Sequence, residues 1–480
     1  MFRQFFSIPG IFFLSLILLS SSCRTPPVQK EEHIDTRTLF EAHFDQVDPA
    51  FEYELVSTIP GEGHTTYVIR MVSQSWLTTE QVKDPVWWHW LTVVVPDQLT
   101  SDIGLLFIGG GSRKSEQPSE ADPMMLQTAL ASQSVAVSLH NVPNQPLEFV
   151  GDDYGPRVED ELIAYGWRKF MEGGAKGTDA IWLARFPMTT AAVRAMDVIT
   201  AFSKDQLSQP VEQFVVAGGS KRGWTTWTTA IVDQRVIAIA PIVIDMLNVV
   251  PSFQHHWRAY GHWAPAVGNY DSEGIMDWQG SREYQAIMDL VEPYSYREKL
   301  ALPKLLINAA GDQFFLTDSW QFYWDDLVGE KHLRYVANGD HSLAGTDAIT
   351  SLISFHQHIV NQQARPDLDW KVVDGKISIQ TQKEFPPIAI HLWQATNPEG
   401  RDFRVETIGR AWSSDEIQVQ ENGSYQLHVS APDQGYTAFF VELTFAGIGG
   451  VPMKVSTGTV VTPDTYPFEA FQSENPHGTK

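Results

Sequence analysis

The sequence predicts an α/β fold: a doubly wound, mostly parallel sheet with an inserted lid, followed by a β-sandwich-like C-terminal domain. Three observations predict it. Short apolar runs alternate with helical patterns between residues 104 and 360, the pattern of strands buried on both faces of a parallel sheet. A glycine-bounded turn with one serine, Ala217-Gly218-Gly219-Ser220-Lys221-Arg222-Gly223-Trp224, joins one of those strands to a helix. Beyond Ala364-Arg365-Pro366-Asp367 the helical patterns stop and short β runs remain.

The elements follow in chain order. Arg3, the short apolar core 11–19 and Ser20-Ser21-Ser22-Cys23 read as a secretion signal, too short to span a bilayer as an ordinary helix. Cys23 is the single cysteine, so no intramolecular disulfide forms. Its place after small residues resembles a bacterial lipobox, with Ser20 where Leu is usual. This places the protein outside the cytoplasm, in the periplasm, lipid-anchored at the outer membrane or released. Residues 1–23 are thus the signal, and 24–39 a polar tether. An α/β domain covers 40–364, with the lid insert at about 246–300, and the β domain covers 365–470.

Runs at 51–57, 65–73, 87–95 and 104–108 are β-branched or aromatic and are separated by Pro, Gly and polar turns. Strand patterns recur at 135–139, 214–217, 236–244, 304–309 and 332–336, with helices at 191–202 and 349–360 and a helix-compatible insert at 158–172. The lid is dense in aromatic and histidine side chains, among them Phe253, His255, His256, Trp257, Tyr260, His262 and Trp263. β runs at 376–382, 388–394, 425–430, 437–445 and 453–461 complete the chain.

A serine hydroxyl is a weak nucleophile that needs a base, usually His, and a carboxylate to orient that base. Ser220, Asp312 and His341 occur in the chain order of doubly wound hydrolases. Asp312 follows one strand pattern in Ile307-Asn308-Ala309-Ala310-Gly311-Asp312, and His341 follows the next in Asn338-Gly339-Asp340-His341. Strand C-terminal ends are where an open α/β sheet presents its crevice. Asp245, at the end of run 236–244, is the rival carboxylate.

Oxyanion donors are expected at the backbone of Lys221 and in the glycine loop at Gly110 and Gly111. Arg222, Trp224, His262 and Trp263 are the candidate substrate contacts. Arg222 has a second reading as a structural ion-pair partner beneath the lid. The turn departs from G-x-S-x-G because Arg222 occupies the second position after the serine and glycine comes third. The lid histidines lack H-E-x-x-H spacing, and no P-loop or dinucleotide fingerprint occurs, so no metal or cofactor is expected. A net charge of −24 with no basic stripe excludes a nucleic-acid partner, leaving a small-molecule or peptide substrate. The membrane enters only through the N-terminal anchor.

The stretch Gly218-Gly219-Ser220-Lys221-Arg222-Gly223-Trp224-Thr225-Thr226-Trp227 resembles the signature of the PhoPQ-activated pathogenicity-related protein family, which includes the autocrine proliferation repressor proteins. Ala240-Pro241-Ile242-Val243-Ile244-Asp245, Tyr260-Gly261-His262-Trp263 and Asn308-Ala309-Ala310-Gly311-Asp312-Gln313-Phe314-Phe315 support the resemblance, over roughly residues 40–460. It implies an α/β-hydrolase core with a β-rich C-terminal domain in a secreted protein. The G-x-S-x-x-G turn is also similar to that of glucuronoyl esterases, and prolyl-oligopeptidase-like peptidases share the core fold. The resulting expectation is a serine hydrolase acting on an ester or peptide bond, the alternative being a non-catalytic binding or signalling protein on the same scaffold.

Overall fold

The computed structural model describes residues 36–480, and Asp35–Lys480 cluster as one compact unit. Its main sheet contains β1 (Glu52–Gly61), β2 (His64–Ser75), β3 (Val86–Pro96), β4 (Ile103–Ile108), β5 (Ala136–Leu139), β6 (Gln213–Gly219), β7 (Val236–Ile242), β8 (Lys304–Ala309) and β9 (Lys331–Val336). The strand order is β1-β2-β3-β5-β4-β6-β7-β8-β9. The first three strands and β5 pair antiparallel, and every ladder from β5 to β9 is parallel. This is the mostly parallel sheet expected from the continuous apolar runs.

Those runs are apolar throughout because neighbouring residues face different cores. Leu106, Val216 and Leu306 join one cluster, covered by α3 (Glu159–Glu172), α4 (Arg185–Gln206) and α5 (Lys221–Val232). Leu105, Val215 and Leu305 join the other, under α2 (Pro123–Ser132) and α9 (Ala348–Val360). Helix α1 (Thr36–His43) begins inside the segment expected as a tether. The reason is tertiary: Phe40 is fully buried and packs edge-on against Phe186, with ring centroids 5.0 Å apart.

The insert between β7 and β8 is helical: α6 (Val249–Tyr260), α7 (Gly268–Ser272) and α8 (Arg282–Val291), joined by 3-10 turns. The C-terminal region forms two antiparallel sheets. One contains β10 (Leu368–Val373), β11 (Lys376–Thr381) and β14 (Ser424–His428). The other contains β12 (Ala389–Asn397), β13 (Ser413–Glu416), β15 (Tyr436–Phe445) and β16 (Met453–Ser456), with β17 (Val460–Thr462) paired to β15. Strand β13 escapes sequence reasoning because its four residues, Ser-Ser-Asp-Glu, are all exposed and carry no apolar alternation. Ile377, Ile390, Phe439, Val441 and Leu443 share a cluster with α2 and α9, so these sheets complete a core of the α/β region. Among the described residues no helix is long and apolar enough to cross a membrane. The signal, the tether up to residue 35 and Cys23 lie outside the described residues.

Candidate active site

Strand β6 ends at Gly219 and α5 begins at Lys221, so Ser220 alone forms the bend. Its backbone is at φ 57° and ψ −126°, a conformation costly for a residue with a Cβ. Neighbouring backbone holds it there. The Ser220 N–H donates to the Ile242 carbonyl at 2.8 Å, and the Ser220 carbonyl accepts from Trp224 N at 3.0 Å. Two glycines make the bend fit. A Cβ at Gly218 would lie 2.7 Å from the Arg222 carbonyl oxygen, and one at Gly223 would lie 2.7 Å from Ile244 Cγ2 and 3.0 Å from the Gly218 carbonyl oxygen. The position that needs glycine is therefore the third after the serine. The second tolerates arginine because the Arg222 side chain leaves the bend, its Nε donating to the Val142 carbonyl at 2.5 Å.

Helix α5 is rich in threonine, a poor helix former. Its threonine hydroxyls are satisfied within the helix. Thr225, Thr226 and Thr229 return their hydroxyls to carbonyls four residues back, at 3.1, 3.0 and 2.7 Å. Trp227 is fully buried.

Ile108 pairs with Gly218 across the β4–β6 ladder, so the Gly109-Gly110-Gly111 loop leaves the sheet beside the serine bend. Gly111 has φ +137° and would place a Cβ 3.2 Å from Asn141 N, while a Cβ at Gly110 would meet Arg222 Nη2 at 2.9 Å. Close backbone approach and a positive φ thus call for glycine at 111, whereas at 110 the neighbour is the Arg222 guanidinium. Lys221 is the first helical residue of α5, and its N–H precedes any intrahelical acceptor, at the positive end of the helix dipole.

Ser220 borders a pocket walled by Trp167, Trp224, Phe253, Tyr270, Phe314 and Phe315. Its charged lining consists of Asp160, Arg185 and Lys221. Phe314 and Phe315 also touch the His341 imidazole, with ring centroids 4.3 and 5.9 Å away, so they bridge the serine cavity and the histidine.

Asp312 and His341 meet. His341 Nδ1 lies 2.8 and 3.0 Å from the two carboxylate oxygens of Asp312. The carboxylate accepts, so Nδ1 carries the proton and Nε2 is left as the basic nitrogen. Asp312 is held in turn by the backbone N–H groups of Phe314 and Phe315 at 2.7 and 3.3 Å, and His341 N donates to Gln313 Oε1 at 2.9 Å. The rival Asp245 is elsewhere engaged, accepting from Tyr323 Oη at 2.5 Å and from Tyr335 Oη. Burial pushes its carboxyl up to about 8 against the pull of the two tyrosines.

Lys221 and Arg222 are neutralised from α3. Lys221 Nζ lies 2.8 Å from Glu159 Oε2 and 3.0 Å from Asp160 Oδ2, and Arg222 Nη2 lies 2.6 Å from Glu159 Oε1. Burial alone would raise the Glu159 carboxyl, but Arg222 and Lys221 hold it down at about 2. Of the candidate substrate contacts, Trp224 lines the cavity and anchors its Nε1 on the Val291 carbonyl at 2.8 Å. Arg222 takes the ion-pair position instead. His262 and Trp263 are not brought to the cavity. His262 Nδ1 bonds the Tyr260 carbonyl at 2.9 Å, and Trp263 packs against Phe253, His256 and Trp257 of the insert and against Phe471 of the C-terminal segment. Among the described residues no group of three or more His, Cys, Asp or Glu side chains is placed to hold a metal.

Sequence reasoning missed Glu159, Asp160 and Arg185. The first two open a helical pattern as ordinary N-terminal acids, and Arg185 opens another helix. Only the demand of Lys221 and Arg222 for countercharge hinted at such partners.

The strand order, the serine bend between β6 and α5 and the loops after β8 and β9 define an α/β-hydrolase fold. The chain belongs to the PhoPQ-activated pathogenicity-related protein family, whose model matches residues 40–404. It is 34% identical over 468 residues to autocrine proliferation repressor protein A of Dictyostelium discoideum, covering 92% of this chain and 94% of that protein. Among solved structures it is similar to acetyl xylan esterase 1 from Thermoanaerobacterium sp. JW/SL YS485, with a TM-score of 0.43 and 13% identity over 64% of this chain and 88% of that one. A glucuronoyl esterase from Solibacter usitatus gives a TM-score of 0.39 and 14% identity, over 68% and 91% of the respective chains.

Two outcomes are expected. Gly223→Ala forces a Cβ into Ile244 and the Gly218 carbonyl and lowers stability by about 1–3 kcal/mol in urea denaturation. Because the folded Glu159 carboxyl sits below its unfolded value, its stabilisation is complete above about pH 5 and fades as pH falls toward about 2. Glu159→Gln therefore shows a flatter acid-side decline in Tm than the parent protein.

Proposed function

We propose that this protein is a serine hydrolase that cleaves an ester or peptide bond by acyl transfer through Ser220. Ser220 Oγ attacks the substrate carbonyl carbon as its proton passes to His341 Nε2, and Asp312 stabilises the imidazolium. The oxygen of the tetrahedral intermediate takes up the negative charge facing the N–H of Lys221 and the Gly110–Gly111 loop. Collapse expels the leaving group, which takes the proton from His341. Water then attacks the acyl-enzyme with His341 again as base, releasing the acid and restoring the serine. The observation that carries this reading is the 2.8 Å contact of His341 Nδ1 with Asp312, in loops at the C-terminal ends of β8 and β9, the same end of the parallel sheet at which β6 presents Ser220.

A regulatory reading draws on the relative named as an autocrine proliferation repressor. In that reading the scaffold binds a partner and Ser220 chemistry is dispensable. We place the protein outside the cytoplasm, anchored by lipid on Cys23, on the strength of the apolar core 11–19 and the small residues before the cysteine.

A fluorophosphonate probe is expected to label the protein at Ser220 and not the Ser220→Ala variant. Asp312→Asn lowers the labelling rate about a thousandfold or more, whereas Asp245→Asn stays within about tenfold of the parent. Equal loss in both aspartate variants overturns the assignment of Asp312, and a biological effect that survives Ser220→Ala favours the regulatory reading. Cys23→Ala is expected to move the protein from the membrane fraction to the soluble fraction of the cell envelope, as read by fractionation.

A further inference from the structure

Arg185, the first residue of α4, is 2% exposed and lines the cavity that Ser220 borders. Its Nη1 donates to the Lys221 carbonyl at 2.9 Å, and its guanidinium carbon lies 4.4 Å from the Trp224 ring centroid. Its Nε is buried with no hydrogen-bond partner among the described residues. Among the described residues no carboxylate comes within ion-pairing distance of it. The nearby acids are already engaged: Asp160 accepts from Lys221 Nζ at 3.0 Å and from Tyr270 Oη at 3.0 Å, and Glu159 holds Lys221 and Arg222. Three cations, Arg185, Lys221 and Arg222, thus face two carboxylates, Glu159 and Asp160, and one positive charge remains at the cavity wall.

A buried cation without an anion is costly, and arginine does not lose its proton to relieve the cost. Burial and Arg222 both weigh against the charged form of Arg185, while Tyr270 and Asp160 offset them only in part. A planar guanidinium with open donors matches a carboxylate in two-point contact. The remaining wall is aromatic and aliphatic, suited to the carbon skeleton joining that carboxylate to the scissile bond.

We infer that Arg185 is a substrate-binding residue that receives a carboxylate carried by the substrate, so that the preferred substrates are short esters or amides with a free acid a few carbons from the reacting carbonyl. This rests on the hydrolase reading above. The carboxylate has two possible origins, the acyl side or the leaving-group side, with the same chemistry at Arg185.

The test pairs charged and neutral esters of similar size: monoethyl succinate against ethyl butyrate for the acyl side, and acetoxyacetate against ethyl acetate for the leaving-group side. The parent protein is expected to favour the charged member of at least one pair by about tenfold or more in kcat/KM. Arg185→Gln abolishes that preference while fluorophosphonate labelling of Ser220 persists, and Arg185→Lys restores part of it. Binding is read separately in the Ser220→Ala protein, where succinate and acetoxyacetate are titrated against tryptophan fluorescence, since Trp224 lies on the guanidinium. A parent protein that favours neither charged ester, or a Ser220→Ala protein that binds neither carboxylate, overturns the inference without reliance on an Arg185 variant. A folded Arg185→Gln protein that keeps the preference also overturns it. Carboxylate binding in a protein that no fluorophosphonate labels leaves Arg185 as an anion site and removes the hydrolase reading alone.

Discussion

The backbone of Ser220 is the constraint around which this molecule is arranged. A side-chain-bearing residue at φ 57° and ψ −126° is stable only where its surroundings leave no alternative. Here β6 delivers the chain at the centre of the sheet, Ile242 on β7 captures the serine N–H, and α5 leaves at once into a buried setting. Gly218 and Gly223 provide the room, since each would drive a Cβ into backbone or a buried isoleucine. The side chain at 222 is released from that crowding, which is why an arginine fits where a small residue is customary.

That freedom creates an electrostatic demand. Lys221 and Arg222 are both largely buried beside the serine, and Glu159 and Asp160 answer them from the first turn of α3. Buried ion pairs of this kind add little net stability, but removing one partner is costly because it strands the other. They therefore fix the position of α3 over the serine helix and help shape the cavity. Arg185, beneath Trp224, is left outside that neutralisation.

The C-terminal region participates directly in the site. Val405 N donates to the Gly311 carbonyl at 3.0 Å, in the loop that presents Asp312. Asn338, in the loop that presents His341, exchanges two hydrogen bonds with the Trp412 backbone at 2.9 and 3.0 Å. Arg401 Nη2 lies 2.6 Å from Asp318 Oδ2, and His255 Nε2 of the insert lies 2.8 Å from Asp318 Oδ1. The segment 401–412 thus ties the Asp312 loop, the His341 loop and the insert together.

The order of strands and helices was legible because burial on both faces leaves continuous apolar runs, and the serine bend because its glycines are needed by sterics within a few residues. Asp312 and His341 were legible as polar residues directly after two strand patterns. Exposed β13 left no such trace, and the roles of His262 and Trp263 were misleading because an aromatic pattern reads the same whether it lines a cavity or packs the insert on itself. The sequence by itself therefore determined the sheet, the bend and the candidates for chemistry, all of them local matters of periodicity and steric need. Only the tertiary structure decided which charges meet: that Arg222 belongs to Glu159, that Asp245 belongs to two tyrosines, and that Arg185 meets no carboxylate among the described residues. Ion pairing depends on distances between residues far apart in the chain, and no local pattern encodes them.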